Sequence, residues 1–74
     1  FEIFGLRFFF YSDEHLPIHV HVEYWGNDAK IEIATRKVVQ NRGLKPRELK
    51  KATQLVEMYE QEIINAWHDY FDKE

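Results

Sequence analysis

Two runs in which apolar and polar residues alternate, separated by Gly26 and Asn27, constrain the fold more than any other feature of this chain. Residues 18–25 and 28–34 both place an apolar side chain at every second position, which is the period of a strand with one buried face. The inward sets are Ile18, Val20, Val22 and Tyr24 in the first run, and Ala29, Ile31 and Ile33 in the second. Gly26-Asn27 lies between the runs, and both residues tolerate positive φ. The pattern predicts a β-hairpin.

The turn residues determine which residues pair across this hairpin. With Gly26-Asn27 as the turn, the pairs are Val22 with Ile31, Val20 with Ile33, Glu23 with Lys30, and His21 with Glu32. These pairs match apolar with apolar residues and place an acid opposite a base, as a stable register should. A turn at Asn27-Asp28 would instead place Glu23 opposite Glu32. We therefore prefer the first register.

The remaining segments complete an α+β pattern. Residues 3–11 predict another strand, and residues 37–40 add a candidate fourth strand. Pro46 suits the first turn of a helix, and apolar steps of three and four predict one helix over 46–72. We predict one domain over 1–74, an antiparallel sheet of three to four strands covered on one face by one long C-terminal helix. The expected core is Phe4, Leu6, Phe8, Phe10, Val20, Val22, Ile31 and Ile33 against Leu49, Ala52, Val56, Tyr59 and Ile63.

The predicted helix is longer than the sheet beneath it. About 26 helical residues would span roughly 39 Å, whereas a strand of about seven residues spans roughly 23 Å. We expect the helix end, with Trp67, Tyr70 and Phe71, to extend beyond its own sheet and contact a partner. The expected partner is a second copy of the chain or another protein.

Charge is distributed unevenly along the sequence. Residues 36–51 hold seven cations and the single acid Glu48, whereas residues 52–72 hold acids and no Lys or Arg. One interpretation is a solvated surface without a specific role. The other is a contact surface for nucleic acid or another anionic partner, formed by Arg42, Lys45, Arg47, Lys50 and Lys51. No aromatic residue that could stack on bases lies inside this segment, so the nucleic-acid hypothesis ranks last.

Composition narrows the setting. The chain has no cysteine, which excludes disulfides and thiolate metal sites and fits a reducing compartment. No apolar run approaches the roughly 20 residues of a membrane span. We expect a cytoplasmic protein without a membrane partner.

Three of the four histidines lie in one short stretch that carries the candidate chemistry. His19 and His21 leave the same strand face, with Cβ atoms roughly 7 Å apart. His15 lies just before the strand, and Glu32 lies across from His21 in the preferred register. His15, His19, His21 and Glu32 are therefore candidate ligands, and a transition metal such as zinc is the candidate cofactor.

Two other interpretations of the histidines stay open. The imidazoles can stack on Phe9 and Tyr11, which share the outward face of the neighbouring strand. Paired histidines can also act as general acid and base without a metal. No Ser or Cys nucleophile stands in a recognisable context, so the residues do not establish whether the chain is an enzyme.

The spacing His15-x-Pro17-x-His19-x-His21 resembles the hallmark of a family of small bacterial proteins labelled domain of unknown function 4160. Further similar pieces are Ile31-Glu32-Ile33, Leu44-Lys45-Pro46 and Trp67. Val20 and Val22 depart from the family's pattern, which has Phe and Ala there. The resemblance implies a toxin–antitoxin-like context, and it supplies no established activity. We predict an interaction or regulatory module, with a histidine-liganded metalloprotein, such as a hydrolase, and a nucleic-acid-binding domain as alternatives.

Overall fold

The described part of the chain is a meandering sheet followed by two helices. A computed structural model describes residues 1–11 and 16–71. In these ranges the elements are β1 (Glu2–Ile3), β2 (Leu6–Phe9), β3 (His19–Tyr24), β4 (Asn27–Glu32), β5 (Val38–Arg42), α1 (Pro46–Met58) and α2 (Glu60–Phe71). The strands follow chain order in one antiparallel sheet. The α+β class is confirmed, but the described residues form five strands and two helices rather than three to four strands and one helix.

The β3–β4 hairpin turns one residue earlier than we predicted. Trp25 and Gly26 are the turn residues, with φ of 51° and 82°, so Tyr24 pairs with Asn27. The predicted pairing of His21 with Glu32 is therefore wrong, because His21 pairs with Lys30. The error moves each partner by two positions, and an even shift leaves every side chain on its predicted face.

A row of charges across four strands explains why the observed register is stable. The register places Glu23 opposite Asp28, a like-charge pair of the kind that disfavours a register. On the outer strands, Arg7 lies opposite Glu23, and Arg42 lies opposite Asp28. Arg7 Nε donates to Glu23 Oε1 at 2.9 Å. The two arginines thus offset a repulsion that appears prohibitive when β3 and β4 are considered alone.

The predicted first strand is instead a hairpin of its own. Phe4 and Gly5 form its turn, with φ of 55° and 80°, and Ile3 pairs with Leu6. Phe4 is 74% exposed, so its predicted place in the core is wrong. Period two groups Phe4 with Leu6 and Phe8, but a two-residue turn reverses the parity, so Ile3 and not Phe4 shares the core face with Leu6.

The core lies between one face of the sheet and the two helices. Inward residues of β2, β3 and β4 pack against α1 and α2, as alternation and helical periodicity predicted. The buried cluster is Leu6, Phe8, Val20, Val22, Ala29, Ile31, Ile33, Leu44, Ala52, Leu55, Val56 and Ile63. Phe10, Leu49 and Tyr59 are only partly buried and pack around this cluster.

The backbone of Tyr59 departs from helical dihedral angles, but the residue keeps its helical hydrogen bonds. Tyr59 has φ of −109° and ψ of 25°, which ends α1. Its N–H still donates to the Leu55 carbonyl, and its own carbonyl accepts from the Ile63 N–H, both at 2.9 Å. Arg36, which precedes β5, forms an ion pair with Glu60 at the start of α2. None of the helices in the described ranges is long and apolar enough to cross a membrane.

The end of α2 packs on its own chain. The ring of Phe71 lies 6.2 Å from that of Phe10, and the ring of Tyr70 lies 6.3 Å from it. Phe10 follows the last residue of β2, so these contacts cover the far end of that strand. The helix end therefore packs partly on its own chain, and its contact with a partner stays a prediction.

Two phenylalanines that share a face in the sequence pattern should differ sharply in their effect on stability. Phe8→Ala should lower the free energy of unfolding by about 3–5 kcal/mol, because Phe8 is buried in the core. Phe4→Ala should change it by less than about 1 kcal/mol, because the ring is exposed. Urea denaturation followed by circular dichroism measures both. Equal losses for the two variants would contradict the observed hairpin.

Candidate binding surface

Two turns that carry aromatic residues lie at the same end of the sheet. β2 and β3 are antiparallel, with Arg7 opposite Glu23, so the turn before β2 adjoins the turn after β3. A Cβ atom on Gly5 would lie only 3.3 Å from the Tyr24 ring. Glycine at this position therefore allows Tyr24 to pack against the first turn. We call this the turn end of the sheet.

The chain returns to the turn end before it enters α1. Arg42, the last residue of β5, lies opposite Asp28 near the start of β4. Asn41 then braces the connection, since its side chain donates to the Leu44 carbonyl and accepts from the Leu44 N–H, both at 3.0 Å. Gly43 has φ of 100°, and a Cβ atom there would lie 2.5 Å from Asn27 Oδ1. The Asn41 hydrogen bonds and the close approach at Gly43 thus position the start of α1.

The first turns of α1 bring cations beside an exposed aromatic ring. Lys51 Nζ lies 4.9 Å from the centre of the Phe4 ring, within the range of a cation–π interaction. Arg47 and Lys51 are four residues apart and therefore share a helix face. Both line a surface cavity of about 150 Å³ together with Phe4, Leu6, Tyr24 and Glu48. We call the surface formed by Phe4, Tyr24, Trp25, Arg47 and Lys51 the aromatic–basic surface.

All the predicted contact cations are accessible at or near this surface. Arg42, Lys45, Arg47, Lys50 and Lys51 are exposed. Glu48 is the acid among them, and its carboxylate accepts a hydrogen bond from the Lys45 backbone N–H at 2.8 Å. That bond directs the carboxylate toward the start of α1, where it stabilises the helix terminus. Glu48 therefore offsets only part of the positive charge of the surface.

Burial does not explain the aromatic residues in the two turns. Trp25 is 85% exposed, even more than Phe4. Both have positive φ, a conformation that bulky side chains rarely adopt. A two-residue hairpin turn requires positive φ at both central residues, but Asn, Asp and Gly are the residues that such turns favour there. The two rings gain little from the fold itself, which makes them candidates for contact with a ligand.

Our sequence prediction missed the aromatic half of this surface. Phe4, Tyr24 and Trp25 are distant in sequence from the basic segment, and only the sheet brings them to it. The available signal was a repeated pair of an aromatic residue followed by glycine, Phe4-Gly5 and Trp25-Gly26. The argument that ranked nucleic acid last considered only aromatics inside residues 36–51.

The histidine stretch lies on the sheet face away from the helices. His19 lies opposite Glu32, and His21 is the next residue on the same face. His21 is only 6% exposed. Its ring centre lies 5.6 Å from that of Phe9 and 4.3 Å from that of Tyr11. The predicted stacking is confirmed for His21 on Phe9, whereas Tyr11 meets the imidazole edge-on.

The metal hypothesis remains a prediction. Within residues 1–11 and 16–71, no group of three or more His, Asp or Glu side chains is arranged to hold a metal ion. His15 lies outside the described residues. The structure therefore brings His19, His21 and Glu32 to one face but does not describe the full predicted ligand set.

The predicted partner surface on the helix end is largely covered by the chain itself. Trp67 is 6% exposed, and its ring centre lies 4.6 Å from that of Phe71. Phe71 is half-buried, whereas Tyr70 is 48% exposed. Of the three predicted residues, only Tyr70 presents substantial aromatic area to solvent.

The fold and the aromatic–basic surface define a small α+β domain with helices on one sheet face and a cationic, aromatic end. A family model described as Domain of unknown function (DUF4160) matches residues 5–68, so the chain belongs to this family. The predicted resemblance is thereby confirmed, and the match includes His19, His21 and the basic segment. Searches of the curated proteins and of the solved structures gave no match.

The buried histidine should matter for stability more than an exposed one. His21→Ala should lower the free energy of unfolding by about 1–3 kcal/mol, because it removes a ring packed between Phe9 and Tyr11. His68→Ala is the matched control, since His68 is exposed on α2, and it should cost less than about 1 kcal/mol. Thermal and urea unfolding in metal-free buffer measure both. A His21 variant as stable as the parent chain would contradict a packing role.

Proposed function

We propose that this chain is an interaction module that acts through the aromatic–basic surface, in a regulatory setting of toxin–antitoxin type. The observation that supports it is the meeting of exposed rings from two turns with cations from α1, seen most directly at Phe4 and Lys51. Exposed aromatic residues and arginine are the groups that dominate the energetics of binding surfaces. The toxin–antitoxin context is drawn from the family resemblance.

The form of the surface favours binding over catalysis. Its cavity of about 150 Å³ is smaller than the roughly 300–1,000 Å³ of sites that enclose a small molecule, and the adjoining depression of about 360 Å³ has no aromatic lining. It is lined by two cations, two aromatic rings, one leucine and one acid. Arg47 and Lys51 are exposed, so they attract an anion without holding a reactive group in a dry site. A surface of this kind suits a macromolecular ligand that contacts it from outside.

The charge distribution indicates the sign of the partner. The cations from Arg42 to Lys51 lie at or near the turn end, whereas α2, which carries Glu60, Glu62 and Asp69, ends against Phe10 at the far end of β2. The chain as a whole has a formal charge of −3, so attraction of an anionic partner depends on this separation. The proposed partner is therefore anionic where it contacts the turn end.

Capture from the source bacterium tests the proposal. The parent chain should retain a protein or nucleic-acid partner, and the double variant Trp25→Ala/Lys51→Ala should retain at least about tenfold less, since central contacts cost more than 1 kcal/mol each. The matched control is Tyr70→Ala/Lys37→Ala, which also removes an exposed ring and an exposed cation. Bound protein is measured by mass spectrometry and bound nucleic acid by absorbance, after circular dichroism has shown that the variants fold.

Two results would contradict the proposed function. One is capture of nothing by the parent chain. The other is a partner that the Trp25/Lys51 variant retains in full. Loss of the partner only from the Tyr70/Lys37 variant would move the interaction to the helix end that the sequence first suggested.

A metalloprotein is the second candidate, and one observation favours it. His19 lies opposite Glu32, so two of the four predicted ligands are neighbours on the sheet, whereas His21 is packed against Phe9 and Tyr11. Imidazole and carboxylate together suit zinc and similar ions. If a metal is bound there, His15 would supply a further ligand.

Metal content decides this second candidate. Under the metal hypothesis, tag-free chain purified without chelator contains close to one transition metal per chain by plasma mass spectrometry. His15→Ala/His19→Ala should then lose it, and His68→Ala should keep it. This variant spares His21, whose packing role would confuse the result. Equal and negligible metal in all three proteins would remove the metalloprotein candidate.

A further inference from the structure

We infer that the ligand of the aromatic–basic surface is single-stranded nucleic acid, whose bases stack on the rings of the two turns. This inference rests on the proposed function and assigns a chemical class to its partner. Three features support it: two rings with accessible faces, cations beside them, and a cavity sized for one planar group.

The exposed rings supply the contact that distinguishes single strands from other anions. Phe4 and Trp25 lie on separate turns at the turn end of the sheet, and most of each side chain is accessible. Proteins that bind single strands use such rings as platforms, because every base has a face that can stack. Bases in a duplex are already stacked on one another, so these rings gain little from a double helix.

The cations supply contacts to the phosphates. Arg47, Lys50 and Lys51 are three and four residues apart on α1, and Lys45 precedes them. Lys51 lies over the Phe4 ring at 4.9 Å, so a phosphate that Lys51 contacts belongs to a nucleotide close to that ring. Pairing of a backbone contact with a neighbouring stacked base is the arrangement found in single-strand grooves.

The cavity beside the rings fits the same ligand. The sheet contributes Phe4, Leu6 and Tyr24 to its walls. The helix α1 contributes Arg47, Glu48 and Lys51. A second depression of about 360 Å³, lined by Lys45, Pro46, Arg47 and Glu48, shares two of its residues. The two together form a path that runs from the aromatic turns along the start of α1. A strand that follows this path meets rings first and then cations.

An acidic protein segment would use this surface differently. It would pair with Arg47, Lys50 and Lys51 but would not require two accessible ring faces in strained turns. A duplex would likewise depend on the cations alone. The contribution of Trp25 to affinity therefore separates single strands from both alternatives.

Fluorescence anisotropy with labelled oligonucleotides tests the inference. The probes are a single-stranded RNA, the DNA of the same sequence, and the duplex of that DNA, each at two salt concentrations. We expect a single strand to bind at least about tenfold more tightly than the duplex. Trp25→Ala should weaken single-strand binding about fivefold or more. Tyr70→Ala, the matched exposed ring, should leave it unchanged.

The cation contact has its own readout. Lys51→Ala should weaken binding and reduce the slope of log affinity against log salt by about 0.7, the value for one phosphate contact on a single strand. Lys37→Ala should leave the slope unchanged. The RNA and DNA arms distinguish the two sources of single strands, since only RNA offers a 2′-hydroxyl.

Stacking on Trp25 can be observed directly. The chain has two tryptophans, and Trp67 is buried, so Trp67→Phe leaves Trp25 as the one reporter. Saturation with the tighter-binding single strand should quench its fluorescence. If Trp67→Phe does not fold by circular dichroism, iodide quenching of the parent chain provides the same readout, because the ligand should shield the exposed Trp25.

Three outcomes would overturn the inference. One is equal binding of duplex and single strand with no loss in Trp25→Ala, which would indicate charge attraction alone. Another is unaltered Trp25 fluorescence in the saturated complex. The third is no oligonucleotide binding while an acidic protein is still captured through Trp25 and Lys51, which would reject the ligand class but leave the interaction module intact.

Discussion

Two left-handed turns set the geometry on which the rest of the structure depends. Phe4-Gly5 and Trp25-Gly26 each place two residues at positive φ, and turns of this kind match the twist of the strands they join. The second turn sets the β3–β4 register, and the register decides which outward residues are neighbours. Because β2 and β3 are antiparallel, the two turns also come together at one end of the sheet. The position of the candidate surface follows from this arrangement.

The sequence predicted the faces of the strands but not their partners. Period-two alternation correctly placed Val20, Val22 and Ile31 inward, because a turn displaced by one residue shifts the pairing by two and preserves each face. The register itself failed on an electrostatic argument. We preferred the register that places Glu23 opposite Lys30, whereas the observed register places Glu23 opposite Asp28 and the sheet adds Arg7 and Arg42 on either side. Pairwise rules cannot include such neighbours before the strand order is known.

The same limit applies to the candidate site. The basic segment was visible in the sequence because its cations lie close together along the chain, but Phe4 and Trp25 join it only through the topology of the sheet. Phe4 was misassigned to the core because one alternation was extended through a two-residue turn, which reverses the parity of the inward positions. His21 shows the opposite case, since packing against Phe9 and Tyr11 required only that β2 and β3 be neighbours. The faces on which adjacent strands meet were predictable, whereas their exact partners and the contacts across several elements were not.

The central claim is that the two aromatic turns and the start of α1 meet at one end of the molecule. Nuclear Overhauser effects in the isotopically labelled chain test it most directly, without any ligand. We expect cross-peaks from the Phe4 ring to the Lys51 side chain, and from the Tyr24 ring to the Gly5 Hα protons. Cross-peaks from the Phe4 ring to core residues such as Val22 and Val56, with none to Lys51, would contradict the claim.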